Sequence, residues 1–524
     1  MPDLLVAGTL YTLDPVRPVA SAALIREGRF QRVGSRKECE RAAHGDLRFV
    51  ELGEGCAVPG LIDAHGHPLL HARTLTEVRL SGAASEKECV ERVARFAATV
   101  PEGRWVRGSG WDQNLWPGRH FPAASLLTTA TPRHPVALSR VDVHVLWCNE
   151  NALRAAGIGV STPDPPGGRI LRQSDGTPTG VLIDTAMDLV VRAIPRPGPR
   201  ETEEMLLRSL RALAAAGLTA VHDASAGPEV LEAYARLAER DALPIRVYAM
   251  IEGQGADLDD RMRAWRERRV SEPLRVRSVK LFADGALGSR GAAMFDGYTD
   301  DPGNTGLWLL DPRELEARIL RVAAAGFQPS VHCIGDRACA AVLEAFSKVP
   351  RQLRPRAEHL QTLRPRDVPL LKKSGAIASM QPTHATSDGA WAEERLGHGS
   401  ERQRGAYAWR QALDAGAVLA FGSDFPVEDI DPRAGLRAAV TRKVASGATW
   451  MPEQRLRRDE ALRAFTAGAA WAEFAETRRG RIREGFDADL TVFARDVMAV
   501  HIDEICSVPV TATVIRGRIV YAGE

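Results

Sequence analysis

The sequence has almost no net charge: 69 Lys and Arg stand against 67 Asp and Glu in 524 residues, a formal +2 with histidine neutral. That balance gives no electrostatic reason to bind nucleic acid or an anionic membrane. There is no run of about 18 uncharged apolar residues, so no helix is expected to span a bilayer. Met1–Pro15 has no cationic stretch followed by an apolar one, and no secretory signal is expected there. Cysteine is scarce, seven residues without a CxxC pair, which fits reduced thiols in a cytosol rather than a disulfide framework. Internal repeats and low-complexity tracts are missing too. With 44% hydrophobic and 26% charged residues, wholesale disorder is excluded. The expectation is a soluble cytoplasmic protein with a small-molecule partner. What the chain does have is thirteen histidines.

Length amounts to about three domains at roughly 100–200 residues each. Both ends read as short strands broken by turns: Asp3–Thr12, Ala22–Arg26, Phe30–Val33 and Phe49–Leu52, then Asp489–Phe493, Thr511–Arg516 and Arg518–Ala522. Neither end alone has enough strands to bury a core. Residues 1–58 and 480–524 are therefore expected to combine in one small antiparallel β-sandwich domain.

Residues 59–479 alternate short apolar runs with stretches of helical spacing. The runs are Gly60–Ala64, Thr219–Asp223, Arg246–Ile251, Val279–Ala283, Pro329–Cys333, Arg356–Leu360, Ala376–Met380 and Val418–Gly422. Glu201–Ala216, Pro312–Ala325 and Arg404–Ala415 read as helices, each followed by a glycine suited to a C-terminal cap. Eight strand–helix alternations make an α/β fold, a (β/α)8 TIM-like barrel. The first two runs lie about 150 residues apart, later ones about 20 to 50. Residues from about 70 to 205 are thus expected to form an insertion after barrel strand 1, covering the active site.

His65 and His67 stand at i and i+2 in Pro59-Gly60-Leu61-Ile62-Asp63-Ala64-His65-Gly66-His67-Pro68. On a strand both side chains point to one face, where both imidazoles reach a single metal ion; chance also produces such pairs. His332, His359 and Asp424 each fall at the C-terminal end of an expected strand. A polar group there is costly without a partner, and that end of a barrel is where active sites assemble. The resulting N/O set suits zinc, with iron or manganese as alternatives. Lys280, on strand four, is either an ammonium paired with a carboxylate or a carbamate able to bridge two metals. His222 and Asp223 end strand two, where hydrogen bonding inside the barrel explains them as well as catalysis does.

The order HxH, strand-four Lys, strand-five His, strand-six His, strand-eight Asp resembles the amidohydrolase superfamily. Gly110-Trp111-Asp112-Gln113-Asn114, Phe282-Ala283-Asp284-Gly285-Ala286-Leu287-Gly288-Ser289-Arg290, His332-Cys333-Ile334-Gly335-Asp336-Arg337-Ala338 and Gly422-Ser423-Asp424-Phe425-Pro426-Val427-Glu428 resemble its amidohydrolase-3 branch, which includes N-substituted formamide deformylase. The resemblance implies one ion on His65, His67 and Asp424. It implies a second on His332 and His359, with carboxylated Lys280 bridging; a mononuclear site with Lys280 unmodified also occurs in the branch. Gly291 and Glu150 depart from the residues common in relatives.

The implied reaction is attack of metal-bound hydroxide on a non-peptide carbon–nitrogen bond of a small molecule, an amide, N-formyl or cyclic amide, with Asp424 as general base. A mononuclear deaminase of a heterocycle and a non-catalytic metal-binding relative are the alternatives. Candidate substrate-binding residues are Trp111, Asp112, Asn114, Asp142, His144, Asp284, Ser289 and Arg290. Of these, Trp111 equally suits packing, Arg290 a structural salt bridge, and Asp142 with His144 a paired surface or core site. Relatives of this kind often form dimers, so a homodimer is in keeping with the resemblance.

Overall fold

The computed structural model describes residues 3–523 other than 45, 141–144, 166, 167 and 196, with the backbone alone at Asn114. The chain divides into two compact units, Met1–Leu69 with Thr202–Glu524, and Leu70–Glu201.

In the first unit, eight short apolar segments pair in parallel and in chain order. They are Leu61–Gly66, Leu218–Ala226, Arg246–Glu252, Leu274–Phe282, Gln328–Cys333, Arg356–His359, Ile377–Met380 and Leu419–Phe421. Parallel neighbours need long crossovers, and helices such as Pro228–Glu239, Pro312–Ala324 and Asp336–Phe346 supply them. Val247, Ile251, Val279, Leu281 and Val331 from the strands pack on Leu231, Ile319, Val322 and Val342 from the helices, all buried. Each such side chain contributes about 1.5–3 kcal/mol of transfer free energy. Gly217 and Gly326 end Pro199–Ala215 and Pro312–Ala324 at φ 94° and 81°, a left-handed turn that a β-carbon would strain.

Strand eight meets strand one through loop hydrogen bonds rather than a ladder. Asp424 N–H donates to the His65 carbonyl (2.7 Å), and His67 N–H donates to the Phe425 carbonyl (2.9 Å). The Asp63 carboxylate accepts the Ser423 hydroxyl (2.7 Å) and its N–H (3.1 Å). A β-carbon on Gly422 would lie 2.4 Å from the His65 nitrogen and 2.6 Å from Asp63 Oδ1. Glycine there lets the two strands close, and the closure sets His65 beside Asp424.

The two chain ends join in one sheet ordered Arg518–Ala522, Val510–Ile515, Leu490–Phe493, Leu47–Pro59, Asp3–Tyr11, Val19–Arg26, Arg29–Gly34. All seven expected strands are present in one continuous, mostly antiparallel ladder, and Ala23 and Ile25 near one end of it share an apolar cluster with Ala512 and Val514 near the other. One pair is parallel, Asp3–Tyr11 with Leu47–Pro59, because the helix Arg36–Ala42 carries the chain back between them. Leu4, Val6, Ala23 and Ile25 share one apolar cluster with Leu490, Val492 and Val514, so a single face gathers residues from both ends.

The helix expected over Arg404–Ala415 is broken into Glu401–Arg404 and Trp409–Asp414. Ala406 bridges Thr362 in β fashion, and a β-carbon on Gly405 would meet the Leu363 carbonyl oxygen at 2.0 Å. Pairing with the neighbouring loop overrides helical periodicity at that point.

The second unit has its own six-stranded mixed sheet, ordered Gly168–Arg172, Pro178–Asp184, Val145–Cys148, Val136–Arg140, Val106–Trp111, Val78–Arg79. Its core includes Trp111, Trp116 and Trp147 with Val93, Leu127 and Leu138. Among the described residues, no helix is long and apolar enough to cross a membrane.

Candidate metal centre and active site

The strands deliver their polar side chains to one place by alternation, with two deliberate exceptions. Ser278 and Ser330, on strands four and five, share a 2.8 Å hydroxyl–hydroxyl bond. That fixes which faces of these strands turn into the barrel, and Lys280 and His332 follow two residues later on the same faces. On strand six, Arg356 and Glu358 share a face, so alternation alone would send His359 outward. His359 instead has φ 70°, and its ring sits 4.6 Å from that of His65 and 4.7 Å from that of His332. Asp424 has φ 62°. Left-handed backbone at non-glycine residues is costly and clusters where a side chain must be aimed.

Asp424 is the hub. Its Oδ1 lies 3.1 Å from His67 Nε2 and 3.6 Å from His65 Nε2. Its Oδ2 lies 3.7 Å from His384 Nε2 and 3.9 Å from His359 Nδ1. Two three-residue groups result, His65–His67–Asp424 and His359–His384–Asp424, with donor atoms in each group within 4.8 Å of one another. Lys280 Nζ flanks the first at 3.2 Å from His65 Nε2. His332 joins neither group; its Nε2 is 3.6 Å from Asp284 Oδ1.

His384 was not anticipated. It lies just past strand seven in Gln381-Pro382-Thr383-His384, on the short helix Pro382–Asp388. It falls beyond the end of strand seven at Met380, on a helix, so it lacks the strand-end position that marks His332 and His359.

Burial, then the nearby Lys280 charge, lowers His65 to about 4 and His332 to about 3; burial also takes His359 well below its ordinary value. These imidazoles are neutral at pH 7, the form that offers a lone pair to a metal. Burial alone would raise the Asp424 carboxyl, but the His67 hydrogen bond and the surrounding imidazoles hold it well below the carboxylate range. Burial lowers Lys280 to about 8. Nε2 of both His332 and His384 is buried with no hydrogen-bond partner among the described residues. An ionised carboxylate, neutral imidazoles and orphaned ring nitrogens form a donor set that fits a divalent ion of the zinc type.

Residues 48–521 match the sequence profile of the amidohydrolase family. The chain belongs to the amidohydrolase family. It is a metal-dependent hydrolase acting on carbon–nitrogen bonds. The chain is 31% identical over 529 residues to amidohydrolase YtcJ of Bacillus subtilis (strain 168), covering 98% of each. It is 28% identical over 539 residues to N-substituted formamide deformylase of Arthrobacter pascens, covering 99% of this chain and 98% of the relative. The solved structure of an uncharacterized metal-dependent hydrolase from Pyrococcus horikoshii OT3 matches with a TM-score of 0.83 at 25% identity, covering 96% of this chain and 99% of that one.

Several residues expected to bind substrate have other duties in this amidohydrolase. Asp284 is fully buried. Its carboxylate accepts N–H groups of Ala293 (2.8 Å), Ile334 (3.0 Å) and Gly335 (2.8 Å), while burial pushes it up to about 7 against their pull. It ties the irregular loop after strand four to the loop after strand five. Ser289 donates to the Ala286 carbonyl at 3.3 Å, and Arg290 grips Asp300 through Nε (3.2 Å) and Nη2 (2.7 Å). Both brace the same loop, which has little regular structure of its own. His222 takes its place in the barrel interior, 2.9 Å from Arg356 Nη1, and Asp223 accepts from the Tyr234 hydroxyl at 2.8 Å.

In the inserted unit, Asp112 pairs with Arg140 at 2.6 Å. Trp111 is core: it is fully buried, and its ring lies 5.9 Å from Trp116 and 6.0 Å from Trp147. Its indole N–H donates to the Leu138 carbonyl at 2.8 Å. Its large apolar area wins over the pocket-lining role expected from sequence. Asp142, His144 and the side chain of Asn114 lie outside the described residues. Trp111→Phe is expected to destabilise the inserted unit by about 1–2 kcal/mol, through the lost indole hydrogen bond to Leu138 and lost volume. Chemical denaturation reads the loss; an unchanged midpoint with a raised KM would return Trp111 to the substrate pocket.

Proposed function

We propose that this amidohydrolase cleaves a non-peptide carbon–nitrogen bond of a small molecule, an amide, N-formyl amine or cyclic amide, at the histidines gathered around Asp424. The observation that carries the reading is the Asp424 carboxylate itself, with one oxygen toward His65 and His67 and the other toward His359 and His384. The likeness to N-substituted formamide deformylase supports the N-formyl class.

His65, His67 and Asp424 would hold one divalent ion, zinc or else iron or manganese, and His359 with His384 offers ligands for a second beside it. Such an ion lowers the pKa of a coordinated water to about 7 and polarises a carbonyl oxygen. The protein's own part is proton handling. Asp424 is ionised, so it accepts a proton from the attacking water and delivers it to the leaving amine nitrogen as the tetrahedral carbon collapses. Its backbone bond to the His65 carbonyl keeps the acceptor fixed relative to the histidines. Lys280, with its pKa near 8, keeps a share of neutral amine at pH 7–8. That neutral amine adds CO₂ to give a carbamate and a released proton, turning a cation beside His65 into an anionic ligand.

The test begins with elemental analysis of the purified protein, followed by a panel of N-formyl and N-acyl amines and cyclic amides. One or two transition-metal ions per chain, and turnover that disappears on chelation and returns with zinc, are expected. A metal-free protein that turns over the panel as fast as the loaded one would contradict the proposal.

A further inference from the structure

Beneath the site lies a buried charged pair that the proposed reaction leaves unused. Arg356 and Glu358 stand two residues apart on strand six, and both are fully buried. Arg356 Nε is 2.8 Å from Glu358 Oε1, and its Nη2 is 3.4 Å from Oε2. Arginine is a permanent cation, so a carboxylate touched by it on both oxygens is ionised and acts as an acceptor. Glu358 Oε2 lies 2.6 Å from His65 Nδ1. The same guanidinium donates to the carbonyl of Ala64 at 2.6 Å, to Ser379 Oγ at 2.9 Å and toward His222 Nδ1 at 2.9 Å. One arginine therefore holds both the residue before His65 and the partner of its ring.

We infer that Glu358, braced by Arg356, is the positioning residue that fixes the tautomer and aim of the ligand His65. An ionised carboxylate at 2.6 Å takes a hydrogen bond only from a protonated Nδ1, which leaves the lone pair on Nε2. Nε2 is the atom that faces Lys280 Nζ at 3.2 Å and Asp424 Oδ1 at 3.6 Å. A carboxylate behind a metal-bound imidazole sets the ring's orientation and strengthens it as a donor, and losing such a partner typically weakens metal binding about 10–100-fold. Burying an ion pair is expensive and an apolar pair of similar volume would often serve stability as well, so a role toward His65 accounts for its presence better than packing does. The tetrapeptide Arg356-Ala357-Glu358-His359 thus supplies one ligand and aims another from across the barrel.

The inference rests on His65 being a metal ligand, as proposed above, and its test is read without substrate. Zinc affinity is measured by chelator competition for the wild type and for Glu358→Gln, alongside the melting temperature of each metal-free protein. Gln keeps the shape but accepts or donates equally, and it leaves the Arg356 charge uncompensated. Expected are a lower metal-free melting temperature, because Arg356 loses its buried partner, and, below that transition, zinc binding by the folded variant weakened about 10–100-fold. Zinc binding within twofold of wild type would overturn the inference. Nitrogen-15 histidine NMR of the zinc-loaded wild type decides the matter even if the variant fails to fold. The His65 signal, assigned by its absence in His65→Asn, should carry its proton on Nδ1; a proton on Nε2 would overturn the inference. A wild-type protein that binds no zinc, iron or manganese would overturn the proposed function as well, whereas equal binding by wild type and Glu358→Gln defeats this inference alone.

Discussion

Asp424→Asn is expected to lower kcat/KM about a thousandfold or more while leaving the fold intact. General-base loss alone removes about 10²–10⁴ of rate, and this carboxylate also supplies the negative charge that faces four imidazoles. Asn is the informative replacement because Asp424 sits at φ 62°, a conformation Asn tolerates better than Ala. The backbone hydrogen bond to the His65 carbonyl survives the change. A fall in kcat with an unchanged metal-free melting temperature is the expected pattern. An Asn variant that keeps a tenth of wild-type activity at wild-type metal content would remove Asp424 from the chemistry.

The second large effect is on stability. Arg246, on strand three, is 1% exposed. It meets Asp489 through Nε (2.8 Å) and Nη2 (3.1 Å), Asp487 at 3.3 Å and Glu272 at 3.2 Å. Asp487 and Asp489 begin the segment that returns the chain to the terminal sheet, so this guanidinium pins that sheet to the barrel. Removing one partner of a buried ion network strands the other charges and costs about 3–5 kcal/mol. Arg246→Ala is expected to lose that much, read as a lowered melting temperature, with activity per folded molecule unchanged below the transition. Arg478 and Arg479, which also contact Asp487 at 3.0 and 3.5 Å, soften the loss but do not reach across to strand three. Burial would raise the Asp489 carboxyl, yet Arg246 and its neighbours hold it below the usual carboxylate range. Its contribution is therefore fully present above about pH 4 and is lost as pH falls through the lowered pKa. The gap between wild type and variant should close in acid; a gap that is constant from pH 7 to pH 3 would show that the charges are not its source.

Barrel strands were legible because each is a short apolar run closed by a polar residue, and that pattern survives folding unchanged. His65, His67 and Asp424 were legible for the same reason. His359 was found for a weaker one: it ends its strand, but only the left-handed backbone at φ 70° turns it inward, and nothing in Arg356-Ala357-Glu358-His359-Leu360 announces that turn. Glu358 was hidden beside it, since a carboxylate inside a barrel makes sense only once Arg356 and His65 are seen to meet it. His384 was missed because it lies past the end of strand seven at Met380, on the helix Pro382–Asp388, rather than at a strand end. Trp111 and Arg290 read as pocket residues in sequence because motif neighbours do not reveal whether a side chain faces a cavity, a core or an ion pair. The terminal sheet was legible strand by strand, while the parallel pairing of Asp3–Tyr11 with Leu47–Pro59 depended on where one crossover helix carries the chain.

The measurement that bears most directly on the central claim is anomalous diffraction at the zinc edge from crystals of zinc-loaded, catalytically active protein. A peak about 2.0–2.2 Å from nitrogen atoms of His65 and His67 and from a carboxylate oxygen of Asp424 is predicted. Full activity in a crystal whose zinc peaks lie away from all three residues would contradict it.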